Sequence, residues 1–272
     1  MGQFRGTVME EETMPGEREP AARAVDVLIW LADHTAETWG VRQVAREMNT
    51  SPSTIHRIFQ IFESRDLVIK NDEGRYTPGL ELFRICQVFS HRLSPVKIAR
   101  PHLERLAAAC GETVLLAAYG ARRGQMIVID MIDAPHPLRW VVGLNQWRAV
   151  HSGATGLAIL AFLPEAERQA IYRKGLEPFT EQTLVTGEEL EQEVARVRER
   201  GYAYSQGQRS KGAIGLGAPL FDAAGDVFGD VCITIPAGRF DPALEPKLGA
   251  LLVSVAAGIS ADLRDCGFIR DA

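Results

Sequence analysis

The sequence predicts an α+β chain in two parts: a small helical unit closed by a β-hairpin, and a larger unit of antiparallel sheet with helices packed on it, joined by a connecting helix. Three observations lead there. Apolar residues recur at helical spacing three times before Glu63, two short β-rich runs then flank Asn71-Asp72-Glu73-Gly74, and from Ser94 onward helical and strand patterns alternate. A length of 272 residues allows two ordinary domains, and 46% hydrophobic with 24% charged residues is a globular composition.

In chain order, residues 1–19 are Glu-rich and lack an apolar signal-peptide region, so a disordered tail is expected there, not a leader or anchor. Ala24, Val27, Leu28 and Leu31 form the inner stripe of a first helix over Pro20–His34. A short second helix spans Val41–Met48, and Ser51–Glu63 gives the third. Leu67–Lys70 and Arg75–Thr77 read as a hairpin, completing a first domain at 20–78. Residues 79–93 follow as a linker helix whose Leu80, Leu82, Phe83, Ile85, Val88 and Phe89 call for a partner, such as its own copy in a dimer.

The second domain, 94–272, opens with a helix at 95–110 and strands at Thr113–Tyr119 and Gln125–Ile132. A short strand is expected at Leu138–Val142, then helices near 153–162, 164–174 and 187–200. The last of these starts with the capping pattern Thr186-x-x-Glu189. Strands near 213–221 and 226–235 flank a turn at Asp222–Gly225, and a final helix runs from Pro242 to Asp265.

The net charge of −5 excludes an all-over basic nucleic-acid binder but leaves room for a local reading surface. Cys86, Cys110, Cys232 and Cys266 lie far apart without metal-ligand spacing. They are expected as small buried hydrophobes in a reducing cytoplasm, with no metal and no cofactor. No uninterrupted apolar run is long enough to cross a bilayer, so no membrane partner is expected.

The informative stretch is SPSTIHRIFQIFE, Ser51 to Glu63. Ser51 suits an N-cap and Pro52 the first helical position, while Asn49 tolerates the left-handed backbone of a tight turn and Ala45 is small where two helices would cross. On a helical wheel Ile55, Ile58, Phe59 and Phe62 fall together, whereas Ser53, Arg57 and Gln60 gather opposite, flanked by Thr54 and His56. Hydroxyls and a helix N-terminus can hold phosphate, Arg can pair with guanine and Gln with adenine. With Lys70 and Arg75 on the hairpin, the whole reads as a winged helix-turn-helix for double-stranded DNA.

The arrangement resembles the IclR family of bacterial transcription regulators over nearly the whole chain, from about Ala22 to Leu263. Arg23–Leu28 is similar to that family's first helix, Ser53-Thr54-Ile55-His56-Arg57 to its S-T-x-x-R start, and Gly74–Gly79 to its wing end, with Pro78 in place of an aliphatic residue. Val150–Ala158 resembles its H-x-x-x-x-G-K-A-x-L turn, with Leu157 in place of Lys, and Gly201-Tyr202-Ala203 with Ala218–Gly225 resembles G-Y-A…A-P-[VI]-F-D-x-x-G.

The resemblance implies a GAF-like α/β effector domain and a ligand-responsive regulator that senses a small organic acid and controls a catabolic operon. Homodimers or dimers of dimers are implied, with repressor and activator both open. Carried over by position, the pocket comprises Ala154, Thr155, Ser205, Gly215, Cys232 and Thr234, with Trp140 and Arg148 on a covering loop. The family often has an acidic residue at the position of Ser205 and a Ser at that of Cys232. Trp140, Trp147 and Arg148 suit an aromatic acid, and amides near 153–156 suit a carboxylate.

The competing reading is a small-molecule enzyme or redox sensor carrying a winged-helix dimerisation module. His151-Ser152 lacks the strand-turn-helix setting of a nucleophile, and Gly212–Gly217 has its glycines in the wrong order for a dinucleotide loop and leads into a strand. No catalytic residue is therefore expected. Asp130 and Asp133, without a nearby acidic partner, read as strand-end residues.

Overall fold

The computed structural model describes residues 20–34, 36–90, 94–137, 139 and 142–270. The expected tail at 1–19, and Leu138, Trp140 and Val141, lie outside these residues. The chain divides into two compact units between Ser90 and His91.

In the first unit α1 (Pro20–Asp33), α2 (Val41–Glu47) and α3 (Pro52–Glu63) precede the hairpin β1 (Val68–Lys70) and β2 (Tyr76–Pro78), and α4 (Leu80–Ser90) follows. Val27, Leu31, Val44, Ala45, Ile55, Ile58, Phe59 and Phe62 bury one face of each of the first three helices. Phe59 stacks on Tyr76 of the hairpin, ring centres 4.4 Å apart, so the core ties α3 to the hairpin. Burial, with Glu63 nearby, pushes the Tyr76 hydroxyl above its ordinary pKa. The hairpin also gains a bridge absent from the sequence reading: Trp39 and Tyr76 exchange backbone hydrogen bonds of 2.8 and 2.9 Å.

The turn between α2 and α3 depends on Asn49, which takes φ 49°. Ser51 then caps α3 by accepting a bond from the Thr54 amide, with Pro52 in the first helical turn.

The second unit is built on one antiparallel sheet of order β5-β4-β3-β8-β7-β6. Its strands are β3 (Thr113–Gly120), β4 (Gln125–Ile132), β5 (Trp147–Ala149), β6 (Ala203–Gln206), β7 (Ala213–Phe221) and β8 (Val227–Pro236). Helices α5 (Ser94–Cys110) and α9 (Glu245–Asp265) pack on one face through Leu103, Leu106, Leu252 and Ile259. Helices α6 (Gly153–Leu160), α7 (Glu165–Arg173) and α8 (Gly187–Arg200) pack on the other through Leu157, Ile171, Leu190 and Val194. Helix α8 starts with the expected capping box of Thr186 and Glu189. The segment Pro242–Asp265 is long and apolar enough by composition to span a bilayer, and α9 within it buries Leu252, Ala256, Ile259 and Leu263 against the sheet.

Three details depart from the sequence reading. The edge strand on β4 is Trp147–Ala149, and Val142, the end of the expected strand, is not in a strand. β6 was not anticipated at all. Among the cysteines Cys232 is buried, Cys110 half-buried, and Cys86 and Cys266 exposed. Cys86 lies on an exposed position of α4 and Cys266 just after α9, so the uniform expectation of buried cysteines fails.

The glycines of the Gly212–Gly217 stretch act in packing. A Cβ at Gly215 would lie 2.9 Å from the Ala154 Cβ, and one at Gly217 would lie 2.7 Å from the Ala154 carbonyl. Helix α6 thus rests directly on β7 because two side chains are missing beneath it.

Candidate functional site

On the first unit Ser53, His56, Arg57, Gln60 and Lys70 are exposed, with Thr54 half-buried beside them. Arg57 makes no hydrogen bond or ion pair among the described residues. The three hydroxyls form a cluster: Ser51 Oγ lies 2.9 Å from Ser53 Oγ and 2.8 Å from Thr54 Oγ1. Arg75 sits differently. Its guanidinium donates to Thr38 Oγ1 at 2.6 Å, to the Thr38 carbonyl at 2.8 Å and to Gln43 Oε1 at 3.4 Å, bracketing the hairpin to the entry of α2. Arg42 and Arg46, not singled out in the sequence, add exposed cations on α2.

The second unit holds a cavity of about 120 Å³ where β3, β4, β7 and β8 meet the start of α6. Arg148, Ala154, Thr155, Ser205, Gly215, Cys232 and Thr234 all line it, together with Ser152, Gly153, Gln208, Arg209 and Ser210. Leu115, Met126, Val128, Val142 and Ile214 supply an apolar wall. Trp140 cannot be assigned, lying outside the described residues. Trp147 is not in the lining: its ring packs at Gly120, 4.9 Å from the Arg123 guanidinium carbon, because alternate residues of a strand face opposite ways. The aromatic preference read from Trp147 loses that support.

The start of α6 is already engaged in part. The Gly153 amide donates to Gln208 Oε1 at 3.4 Å and the Ala154 amide to Ser205 Oγ at 2.9 Å. Ser205 therefore serves as acceptor for a buried amide. Arg148 donates from Nη2 to the Gly143 carbonyl at 3.2 Å, while its buried Nε has no partner among the described residues. Arg209 donates from Nη1 to the Ala149 carbonyl at 3.3 Å and lies 4.4 Å from the Phe179 ring centre. Burial lowers the pKa of both arginines; for Arg209, burial and then repulsion from Arg148 outweigh attraction by Glu177 and bring it to about 10.

Groups that would do covalent chemistry are tied off. His151 Nε2 contacts the Glu177 carbonyl at 2.9 Å, and Ser152 Oγ donates to the Gln208 carbonyl at 3.1 Å. Burial, with Asp230 beside it, pushes the Cys232 thiol up to about 12, which keeps it protonated and a poor nucleophile. Asp130, read as a strand-end residue, pairs with Arg100 at 2.8 Å. Among the described residues no cluster of three or more His, Cys, Asp or Glu could hold a metal.

Known proteins share this arrangement. Residues 20–72 match the IclR helix-turn-helix domain and residues 88–261 the C-terminal domain of bacterial IclR transcriptional regulators. The transcriptional repressor IclR of Escherichia coli K12 is 26% identical over 243 residues, 89% of this chain and 88% of that repressor. The IclR regulator of Alicyclobacillus acidocaldarius has the same fold with a TM-score of 0.81 at 23% identity, covering 91% of this chain and 99% of that one. An IclR homologue from Microbacterium hydrocarbonoxydans, solved with 4-hydroxybenzoate, gives a TM-score of 0.78 at 22% identity over 91% of this chain and 100% of its own. Fold, domain order and matched domains agree, and the chain belongs to the IclR family of DNA-binding transcriptional regulators.

Proposed function

We propose that this regulator is controlled by a small organic acid bound in the cavity at the start of α6, and that binding changes how paired winged helices engage operator DNA to control a catabolic operon. The observation that carries this reading is the cavity itself: an apolar wall with Arg148 and Arg209 at its polar end and no acidic side chain in its lining. An anion with an apolar body complements both features. The relative solved with 4-hydroxybenzoate supports an acid of that general type.

In this reading Ser53, Thr54, His56, Arg57, Gln60 and Lys70 contact the duplex, and Arg75 holds the wing in place for them. Repressor action is favoured by the Escherichia coli relative, and a cytoplasmic location follows from work on DNA. A homodimer, or a dimer of dimers, is favoured by α4, where Leu80, Phe83 and Phe89 are 69%, 60% and 60% exposed. Two-fold symmetry would match a palindromic site. Coupling requires only that the acid favour one arrangement of the winged helices over another.

A thermal-shift screen of the full chain against organic acids tests the reading, since a cognate ligand raises the melting temperature by mass action. The expected hit loses its effect when Arg148 is replaced by Gln. A hit indifferent to Arg148 contradicts the proposed site.

A further inference from the structure

Two arginines elsewhere in the second unit, the buried Arg168 and the half-buried Arg239, come with a carboxylate. Arg168 holds Glu191 through two bonds of 2.9 and 3.0 Å, and Arg239 holds Glu112 at 2.7 and 2.6 Å. Arg148 and Arg209 break that pattern. Among the described residues neither has an ion pair: Arg148 donates from Nη2 to the Gly143 carbonyl and Gln146 Oε1, with its buried Nε unpartnered there, and Arg209 donates from Nη1 to the Ala149 carbonyl. They are also close, because Arg209 bonds the carbonyl of Ala149, the residue after Arg148.

Two half-buried guanidiniums lining one apolar-walled cavity are two positive charges with no ion-pair partner among the described residues. One carboxylate would neutralise half of that charge. The segment Ser205–Gly212, SQGQRSKG, contains no acid that could supply the rest. Glu177, the acid whose field reaches Arg209, is exposed to solvent and acts more weakly on it than burial and Arg148 do.

We infer that the effector is a dianion of the dicarboxylate class, with Arg148 and Arg209 each holding one acidic group and the apolar wall receiving a compact carbon body. The inference rests on the proposed acid-binding role of this same cavity. Its volume of about 120 Å³ sets the size. An apolar cavity of ~150 Å³ accepts benzene, so a short aliphatic diacid or a single ring fits and a long chain does not. A hydrated inorganic dianion does not suit the wall of Leu115, Met126, Val128 and Ile214.

The test uses calorimetric titration of the full chain at constant ionic strength. Succinate and phthalate are compared with their monoacid partners, butyrate and benzoate, in the parent, Arg148→Gln, Arg209→Gln and the double variant. At least one diacid is expected to bind about 30-fold more tightly than its monoacid, since a charge-assisted bond contributes on the order of that factor. Each single substitution should abolish the preference by lowering diacid affinity at least to that of the monoacid. Melting of each unliganded variant checks that it folds.

A monoacid that binds as well as its diacid overturns the dianion and leaves the acid-binding cavity standing. Acids that bind the double variant with undiminished affinity lie elsewhere, and overturn the cavity assignment as well. Absence of binding by all four acids counts against both.

Discussion

The Ser205 hydroxyl accepts a 2.9 Å hydrogen bond from the Ala154 amide, tying β6 to the first turn of α6 at the floor of the cavity. Both residues are buried, so loss of the acceptor leaves a desolvated amide. Ser205→Ala is expected to lower unfolding stability by about 1–2 kcal/mol, measured by denaturant titration. An unchanged midpoint would mean that the amide finds another acceptor.

The arginines of the first unit should separate by role. Arg57 is exposed without a partner among the described residues, so Arg57→Ala is expected to weaken operator binding by about 1–3 kcal/mol with no change in melting temperature. Lys70→Ala should weaken binding evenly across sequences and reduce the salt slope by about one. Arg75→Ala, which breaks the bracket to Thr38 and Gln43, should instead lower stability, by about 1 kcal/mol, along with affinity. Mobility shifts read beside thermal melts distinguish the three.

Asp230, on β8, is fully buried with both carboxylate oxygens unpartnered among the described residues, and burial holds its pKa well above the ordinary value of 3.8. The folded chain therefore keeps a proton that the unfolded chain releases above about pH 4. Stability from this site falls as pH rises between the two pKa values, by about 1.4 kcal/mol per pH unit, and is level outside that window. Asp230→Asn removes the dependence. The variant is expected to match the parent near pH 4 and exceed it at neutral pH, which denaturant unfolding across that range measures.

Arg209 is charged at neutral pH although burial and Arg148 lower its pKa to about 10. For a base with a lowered folded-state pKa, the penalty on folding is fully present below that value and fades only as pH rises toward the ordinary 12.5. Arg209→Met keeps an apolar stem against Phe179 and removes the charge. The unliganded variant is expected to gain about 1 kcal/mol, or roughly 2–4 °C in melting temperature, while losing affinity for acids. A lower melting temperature would assign Arg209 a structural part.

How far the sequence could be read depended on whether the deciding contacts were local. Helix α3 was legible because Ser51, Pro52 and the Ile/Phe stripe carry cap and face within thirteen residues. The pocket positions followed from the family resemblance, and the lining includes each of those that the structure describes. Edges were harder. Ala203–Gln206 is a four-residue strand with two polar side chains, too short for an alternation to register, and Trp147–Ala149, which pairs with β4, is shorter still. Arg209 gave no local signal, since its meaning depends on Ala149 and Arg148, about sixty residues earlier. The part Arg75 takes is likewise set by Thr38, thirty-seven residues away.

The central claim, that acid binding in the second unit controls DNA engagement by the first, is tested most directly by titrating an operator fragment with and without a saturating acid that the full chain binds. The account predicts a change in operator affinity of about 5- to 150-fold in the parent, absent in the Arg148→Gln, Arg209→Gln double variant. Equal operator affinity in the presence and absence of a bound acid would contradict it.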